Sequence, residues 1–370
     1  MFERITVNKT SLYHSHKKLN AKLIPFSGYE MPVSYGPISD EYRAIRTQCG
    51  IFDVSHMGQF RITGVDAKDF INVLTINNIE KIDNYEAQYS AMCNEGGGLI
   101  DDLILFKFST QEYIIIVNAS NKSKVLKWML LHKNKFTISI EDMNKDNSLI
   151  ALQGPSSIDI LNKISNNNID LSFYHLMIVK LLDYEVILSR TGYTGELGFE
   201  ILAKHSIIIK LWEYFINQGV NPCGLAVRDV LRMEMKYCLY GNDINESINP
   251  LEAGLSWITD LNKQYFIGRQ KLLELKNKGY SKKLVGFIMN DKAIPRKGYI
   301  IYCNEEKIGE VTSGTHSPTL SKGIGLAYIK LGHNKIGQKI HIEIRGKLMS
   351  AKIIKTPFIN NTSLYDELIT

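Results

Sequence analysis

The segment Leu99-Ile100-Asp101-Asp102-Leu103-Ile104-Leu105-Phe106-Lys107-Phe108 restricts the fold more than any other part of the chain. It is apolar apart from two adjacent acids and one lysine, and it reads as a β-strand. The even positions Ile100, Ile104, Phe106 and Phe108 surround Asp102, whereas the odd face mixes Leu99, Leu103 and Leu105 with Asp101 and Lys107. Adjacent carboxylates on a strand point to opposite faces, so they are not expected to share a proton or to bracket a bond. Only one can serve a given pocket, and the apolar even face selects Asp102. A carboxylate on such a face needs a partner or a ligand to offset the loss of water. The turn amides of Glu95–Gly98 would satisfy it as well as a ligand would, and the pattern leaves both open.

At 370 residues the chain exceeds the size at which one hydrophobic core usually keeps growing, so two or three packed domains are expected. Its 44% hydrophobic and 22% charged residues are ordinary for a globular protein. The net charge of +6 is spread along the chain, with small clusters at Lys282-Lys283 and Arg296-Lys297. That balance favours anionic small molecules or an acidic partner protein over nucleic acid. Cys49, Cys93, Cys223, Cys238 and Cys303 are widely separated and include no C-x-x-C pair, which points to a reduced compartment without a metal site. No apolar run is long enough to span a bilayer, and Met1–Asn8 has no apolar core of a signal peptide. Cytoplasm is the expected location, with no membrane partner.

The first part of the chain alternates elements: a strand at Phe60–Thr63, a helix from a capping Asp66 to Leu74, and a buried strand at Glu112–Val117. Ser120 is expected to cap a helix running to about His132, and Pro155-Ser156 to open another. Strands at Met177–Lys180 and Glu185–Leu188 flank an Asp183-Tyr184 turn, followed by a helix over Ile207–Phe215. From about Val285 the texture changes to short strands between Gly and Pro turns, at Gly298–Tyr302, Lys307–Val311 and Lys339–Ile344, as in a small β-barrel or sandwich.

Two glycine-rich stretches, Glu95-Gly96-Gly97-Gly98 and Gly192-Tyr193-Thr194-Gly195-Glu196-Leu197-Gly198, lack the G-x-G-x-x-G order and are followed by strand-like sequence. They read as hairpin turns, so neither a nicotinamide nor a flavin site is expected. Arg190 to Glu200 puts Tyr193 on a glycine-flanked turn and Glu200 in the following strand. A flat heterocycle could pack on the first and donate paired N–H groups to the second; a surface hairpin with an ion pair fits equally. Arg228 and Arg232 stand one helical turn apart and could clamp a carboxylate or a heterocycle edge, while Asp229 and Arg232 could simply pair. Ser156 and Ser317 have no nucleophile context, and His56 and His316 are isolated.

Taken together these strings resemble one family, the aminomethyltransferases or T-proteins of the glycine cleavage system. The resemblance runs from about Thr10 to Phe358. It is carried by Pro25-Phe26-Ser27-Gly28-Tyr29-Glu30-Met31-Pro32, Phe52-Asp53-Val54-Ser55-His56-Met57-Gly58 and Met92-Cys93-Asn94-Glu95 leading into Asp101-Asp102-Leu103. Further carriers are Ser189 to Glu196, Ala226-Val227-Arg228-Asp229, Leu239-Tyr240-Gly241-Asn242-Asp243, Asn249 to Leu255 and Thr312-Ser313-Gly314.

The resemblance implies an α+β fold, a three-domain cloverleaf around a central folate cavity with a C-terminal β-barrel. On that plan residues 1–150 form an N-terminal folate-binding domain, onto which parts of 220–260 can pack, 151–284 a second α+β domain and 285–370 the barrel. It implies transfer of an aminomethyl carbon from the lipoyl arm of the H-protein to tetrahydrofolate, a co-substrate, in a system that includes the P- and L-proteins. By motif match Asp102 is the carboxylate beside the folate nitrogens that receive the carbon. Tyr89, Asn118, Tyr193, Glu200 and Arg228 match residues lining the pterin pocket, Met57 lies on its wall, and Tyr237 matches more loosely near the same cavity. Expelling the thiol leaves an iminium-like carbon, and a fixed carboxylate can stabilise that charge.

Two departures from the family pattern stand out. Met235-Lys236 occupies positions where members commonly have Ala-Gly, and Ile359-Asn360-Asn361 lacks a basic residue that some members carry. Relatives with other activities fit less well. Demethylation modules of the sarcosine or dimethylglycine type are normally fused to a flavin domain, for which no fingerprint precedes Thr10. The folate-binding iron–sulfur assembly factor carries K-G-C-Y-x-G-Q-E, where this chain has Asn262-Lys263-Gln264-Tyr265-Phe266-Ile267-Gly268-Arg269, without the Cys.

Overall fold

Two open sheets, a closed barrel and a short hairpin hold the strands of the computed structural model, which describes residues 7–366. Of the Met1–Asn8 stretch, Val7 and Asn8 alone fall among those residues. One antiparallel sheet has the order Glu86–Cys93, Leu99–Ser109, Glu112–Val117, Gly58–Thr63, Ser139–Asp142. The helices Ala67–Leu74 and Lys122–His132 cover one face of it, where Leu103, Leu105, Ile115 and Phe60 pack with Phe70 and Val125. The opposite face, with Phe106, Ile114 and Ile116, meets Phe52, Leu149, Leu202 and Val227. Both faces of the Asp-bearing strand are therefore covered, and the face that reads as mixed in sequence is the tighter of the two.

The second sheet has the order Leu176–Leu181, Tyr184–Ser189, Gly198–Lys204, Asn147–Gln153, Gly50–Asp53, Asn221–Pro222. Gly50–Asp53, early in the chain, pairs antiparallel with Asn147–Gln153, so the first two units are interleaved. Helix His205–Asn217 covers this sheet with Ile208, Leu211, Trp212 and Phe215. From Lys282 to Ile354 six strands close into the barrel. The strand expected over Lys307–Val311 extends from Glu306 to Ser317, past an irregularity between Val311 and Ser313 that lets it bend around the barrel.

Two expected helix caps act elsewhere. Asp66 precedes the helix Ala67–Leu74, but its carboxylate accepts the Thr137 N–H at 2.7 Å. Ser120 lies in a tight turn, Ala119–Asn121, and the helix starts at Lys122. In both places a long-range donor or an extra turn outcompetes the local cap, which sequence spacing does not reveal.

The helix Leu225–Glu234 sits between the units and carries two ionic hubs. Arg232, 1% exposed, bonds Asp243 at 2.7 Å, Asp229 at 2.8 Å and Ser313 of the barrel at 2.9 Å. Glu234 takes Arg46 at 2.6 Å, and Arg46 also holds Glu196 at 2.7 Å. The helix ends in a Schellman motif: Tyr237 N–H bonds the Arg232 carbonyl at 2.9 Å, and Lys236 N–H bonds that of Met233 at 3.0 Å. Lys236 takes φ +61 there, a conformation that glycine adopts without strain. Lys236→Gly is expected to raise stability by about 1 kcal/mol; an unchanged or lower denaturation midpoint would show that the lysine side chain contributes more than its backbone costs.

Candidate active site

Three neighbouring strands bring Asp102, Tyr89 and Asn118 onto one face. Ala91 lies opposite Asp102 and Tyr89 opposite Ile104, which sets the Tyr89 phenol diagonally across from the acid. On the other side Ile104 lies opposite Ile116, so Asn118, two residues on, comes level with Asp102 just past the end of its strand. The Tyr89 hydroxyl donates to Asp102 Oδ2 at 2.9 Å, and Asn118 Nδ2 donates to Oδ1 at 2.7 Å. The turn amides stay out of it: Gly98 N–H goes to the Asn94 side chain.

Asp101, fully buried, points to the helix-covered face as the alternation demands. The expected separation of the two acids is nevertheless incomplete, because the Asn118 amide also donates to Asp101 Oδ1 at 2.8 Å. Asn118 sits where the chain leaves the sheet, so its amide reaches round the edge between the faces. Asn118 N–H and Asn121 Nδ2 complete the solvation of Asp101, at 3.0 and 2.5 Å. Burial pushes both carboxyls above the ordinary range; the neighbouring Asp102 charge adds to this at Asp101, while Tyr89 and Asn118 pull Asp102 back down.

Across from this group the Gly192–Gly198 loop and the end of the helix Leu225–Glu234 build an aromatic stack. The Tyr193 and Tyr237 rings lie 5.6 Å apart at 26°, and the Arg228 guanidinium sits 4.8 Å from the Tyr193 centroid. The Tyr193 hydroxyl donates to the Cys238 carbonyl, which fixes the ring. Gly195 has φ +81, and a side chain there would strike Met235, the larger residue of the Met235-Lys236 departure. Among the described residues the buried Arg228 Nη1 has no hydrogen-bond partner. Burial holds the Arg228 guanidinium below its usual pKa, with the Glu200 charge opposing the shift. Glu200 accepts from the Thr191 hydroxyl at 2.5 Å.

Met57 and Ile104 pack against the apolar cluster that includes Phe52, Ile116 and Val227. The two groups are near enough for their charges to act on each other: the Asp102 charge contributes to raising the Tyr193 phenol, and Tyr193 in turn to raising Tyr89, although burial is the main cause in both. Asp102, Tyr89, Asn118, Tyr193, Glu200, Arg228, Tyr237 and Met57 all keep partial exposure.

Arg232 does not join them. Although one turn from Arg228, it turns to Asp243 and the barrel instead of forming a clamp. Asn121 and Trp257, whose ring is 5.9 Å from Tyr89, belong to the surroundings but carry no signal in local sequence. Two open surface hollows, about 500 and 630 Å³, lie over Ser120 and Ser123 and share none of the eight side chains. Among the described residues no group of three or more His, Cys, Asp or Glu side chains is placed to hold a metal ion.

A carboxylate held by a phenol and an amide, near an aromatic stack and a buried guanidinium, has the chemistry to take a flat, polar-edged small molecule. Residues 12–263 match the GCVT N-terminal domain family, and 282–360 the glycine cleavage T-protein C-terminal barrel domain. An aminomethyltransferase of Halothermothrix orenii is 43% identical over 95% of this chain and 100% of its own length. One from Bacillus pumilus is 39% identical over 95% and 98%. The crystal structure of glycine cleavage system aminomethyltransferase T from Bartonella henselae superposes with a TM-score of 0.91 at 29% identity, covering 96% of this chain and 99% of that one. The chain belongs to the glycine cleavage T-protein family and is an enzyme of the aminomethyltransferase class.

Proposed function

We propose that the chain transfers the aminomethyl carbon from the lipoyl arm of the glycine cleavage H-protein to tetrahydrofolate, giving 5,10-methylenetetrahydrofolate and ammonia. It would act in glycine catabolism beside the P- and L-proteins. The observation that most supports this is the buried Arg228 Nη1 over the Tyr193 ring, without a partner among the described residues: a cradle with an unmet donor. An electron-rich heterocycle edge would meet that donor, Glu200 would take amino N–H groups, and Tyr193 with Met57 would sandwich the ring. Tetrahydrofolate, when bound, supplies the two N–H nitrogens between which the carbon is lodged, their hydrogens leaving on the carrier thiol and on ammonia.

Asp102 acts where charge develops. Its carboxylate stabilises the positive charge that grows on the migrating carbon as sulfur departs, and the Tyr89 and Asn118 bonds keep it aimed without reorganisation. A cytoplasmic location belongs to the same proposal; all five cysteines are buried thiols, and no described helix is long and apolar enough to cross a membrane.

The test is formation of ammonia and methylenetetrahydrofolate from aminomethylated carrier, with and without tetrahydrofolate. No folate-dependent carbon transfer would refute the reading. Arg228→Met is expected to weaken tetrahydrofolate binding at least about tenfold with carrier KM unchanged; equal affinity for the co-substrate would remove Arg228 from its pocket.

A further inference from the structure

Asp101 is the acid that the proposed reaction leaves unused, yet it is 0% exposed and ringed by donors. Its Oδ2 accepts the Asn118 N–H at 3.0 Å, and its Oδ1 accepts from Asn118 Nδ2 at 2.8 Å and from Asn121 Nδ2 at 2.5 Å. The carboxyl thus grips Asn118 at two points, main chain and side chain. Asn121 holds the carboxyl in turn, and its own N–H closes the loop on the Asn118 carbonyl at 2.9 Å. Packing alone would be served by an apolar residue here, without the cost of burying a polar group and matching three donors to it.

The grip matters because of what the rest of Asn118 does. An asparagine amide has nearly the same shape at its oxygen and nitrogen ends, and its last torsion is broad and roughly two-fold, so its partners choose which end faces where. Its amino group has two hydrogens. One serves Asp101 Oδ1; the other serves Asp102 Oδ1 at 2.7 Å, with the Asp102 carbonyl 3.2 Å from the same nitrogen. The Asp102 carboxyl is just as free to turn about its own last bond. Tyr89 fixes one of its oxygens, and Asn118 fixes the second and with it the plane of the group. We propose that Asp101 is a positioning residue for the carbon transfer: from the helix-covered face it clamps Asn118, and through that amide it sets the plane in which Asp102 meets the developing charge. This rests on the function proposed above and names a residue that preorganises its acid.

The experiment compares wild type, Asp101→Asn, Asn118→Ala, their double variant and Asn121→Ala. An amide at position 101 must set an N–H against one of the two Asn118 donors whichever way it turns. Asp101→Asn should therefore lower kcat about tenfold, with carrier KM and tetrahydrofolate Kd within about twofold. Asn118→Ala breaks the same route, so adding Asp101→Asn to it should cost less than about twofold more. Full multiplication of the two losses would overturn the assignment, because Asp101 would then act by another path. Asn121→Ala takes a donor from the same carboxyl without touching Asn118; it should lower the denaturation midpoint and keep kcat within about twofold. A kcat loss equal to that of Asp101→Asn would reduce the effect to loosened packing and overturn the proposal. One further reading needs neither turnover nor a variant at position 101. In wild type with isotope-labelled asparagine, the side-chain hydrogens of Asn118, assigned by their absence in Asn118→Ala, should exchange with solvent about a hundredfold more slowly than those of an exposed asparagine; equally fast exchange would refute the clamp. Wild type forming no methylenetetrahydrofolate would sink the functional reading first, whereas slow exchange with unaffected kcat in Asp101→Asn would sink the positioning role alone.

Discussion

Asp102→Asn should lower turnover by about a hundredfold or more, some 2.7 kcal/mol of transition-state stabilisation, in a protein that folds normally. Asparagine keeps the shape and an oxygen that can accept from Asn118 Nδ2, and its own amide can turn to the Tyr89 oxygen. What disappears is the negative charge. Because burial disfavours that charge in the folded chain, its removal should leave the denaturation midpoint unchanged or raise it. Stability measured in parallel with single-turnover carbon transfer separates the two effects. Wild-type rates in a folded Asp102→Asn variant would remove the carboxylate from the mechanism.

The pH dependence follows from the same environment. A carboxyl raised above its unfolded value protonates earlier as the pH falls, so the acid limb of kcat/KM should lie above the ordinary carboxylate range. Activity is lost as pH drops through the raised value, whereas the folding penalty of the charge is present above it and relieved below it.

Arg232→Met should cost about 3–5 kcal/mol of stability, because it leaves the fully buried Asp243 carboxylate facing no cation. Arg232 joins the central helix to Asp243 and to Ser313 of the barrel, so the loss is expected in the cohesion of the units. A fall in Tm on the order of 10 °C is the readout. Adding Asp243→Asn should recover part of it, since no lone charge then remains; a double variant as weak as the single one would locate the loss in packing instead.

Part of this candidate site was legible in advance because β-alternation is local, whereas Tyr89, Asn118, Met57 and Tyr237 came from the family resemblance alone. The period of two around Leu99–Phe108 separated Asp102 from Asp101, and the glycine-flanked Tyr193 marked a turn, each depending on neighbours within a few residues. The assignment of cores was less complete. The odd face of that strand holds the carboxyl of Asp101 at full burial because Asn118 and Asn121, beyond the next strand, supply its donors. Likewise Arg228 and Arg232 look equivalent at one turn's spacing, yet one faces the aromatic stack and the other an aspartate reached through a separate loop.

Periodicity and turn chemistry in the chain were enough to settle strand faces, the barrel that begins near Val285, and which acid turns toward the second sheet, since these follow from contacts between near neighbours. Which groups meet that acid was settled by folding alone: Asn118 reaching round a sheet edge, Arg228 left without a partner, Trp257 held outward beside Tyr89. Such pairings depend on where distant segments cross, and burial then fixes what each charge costs.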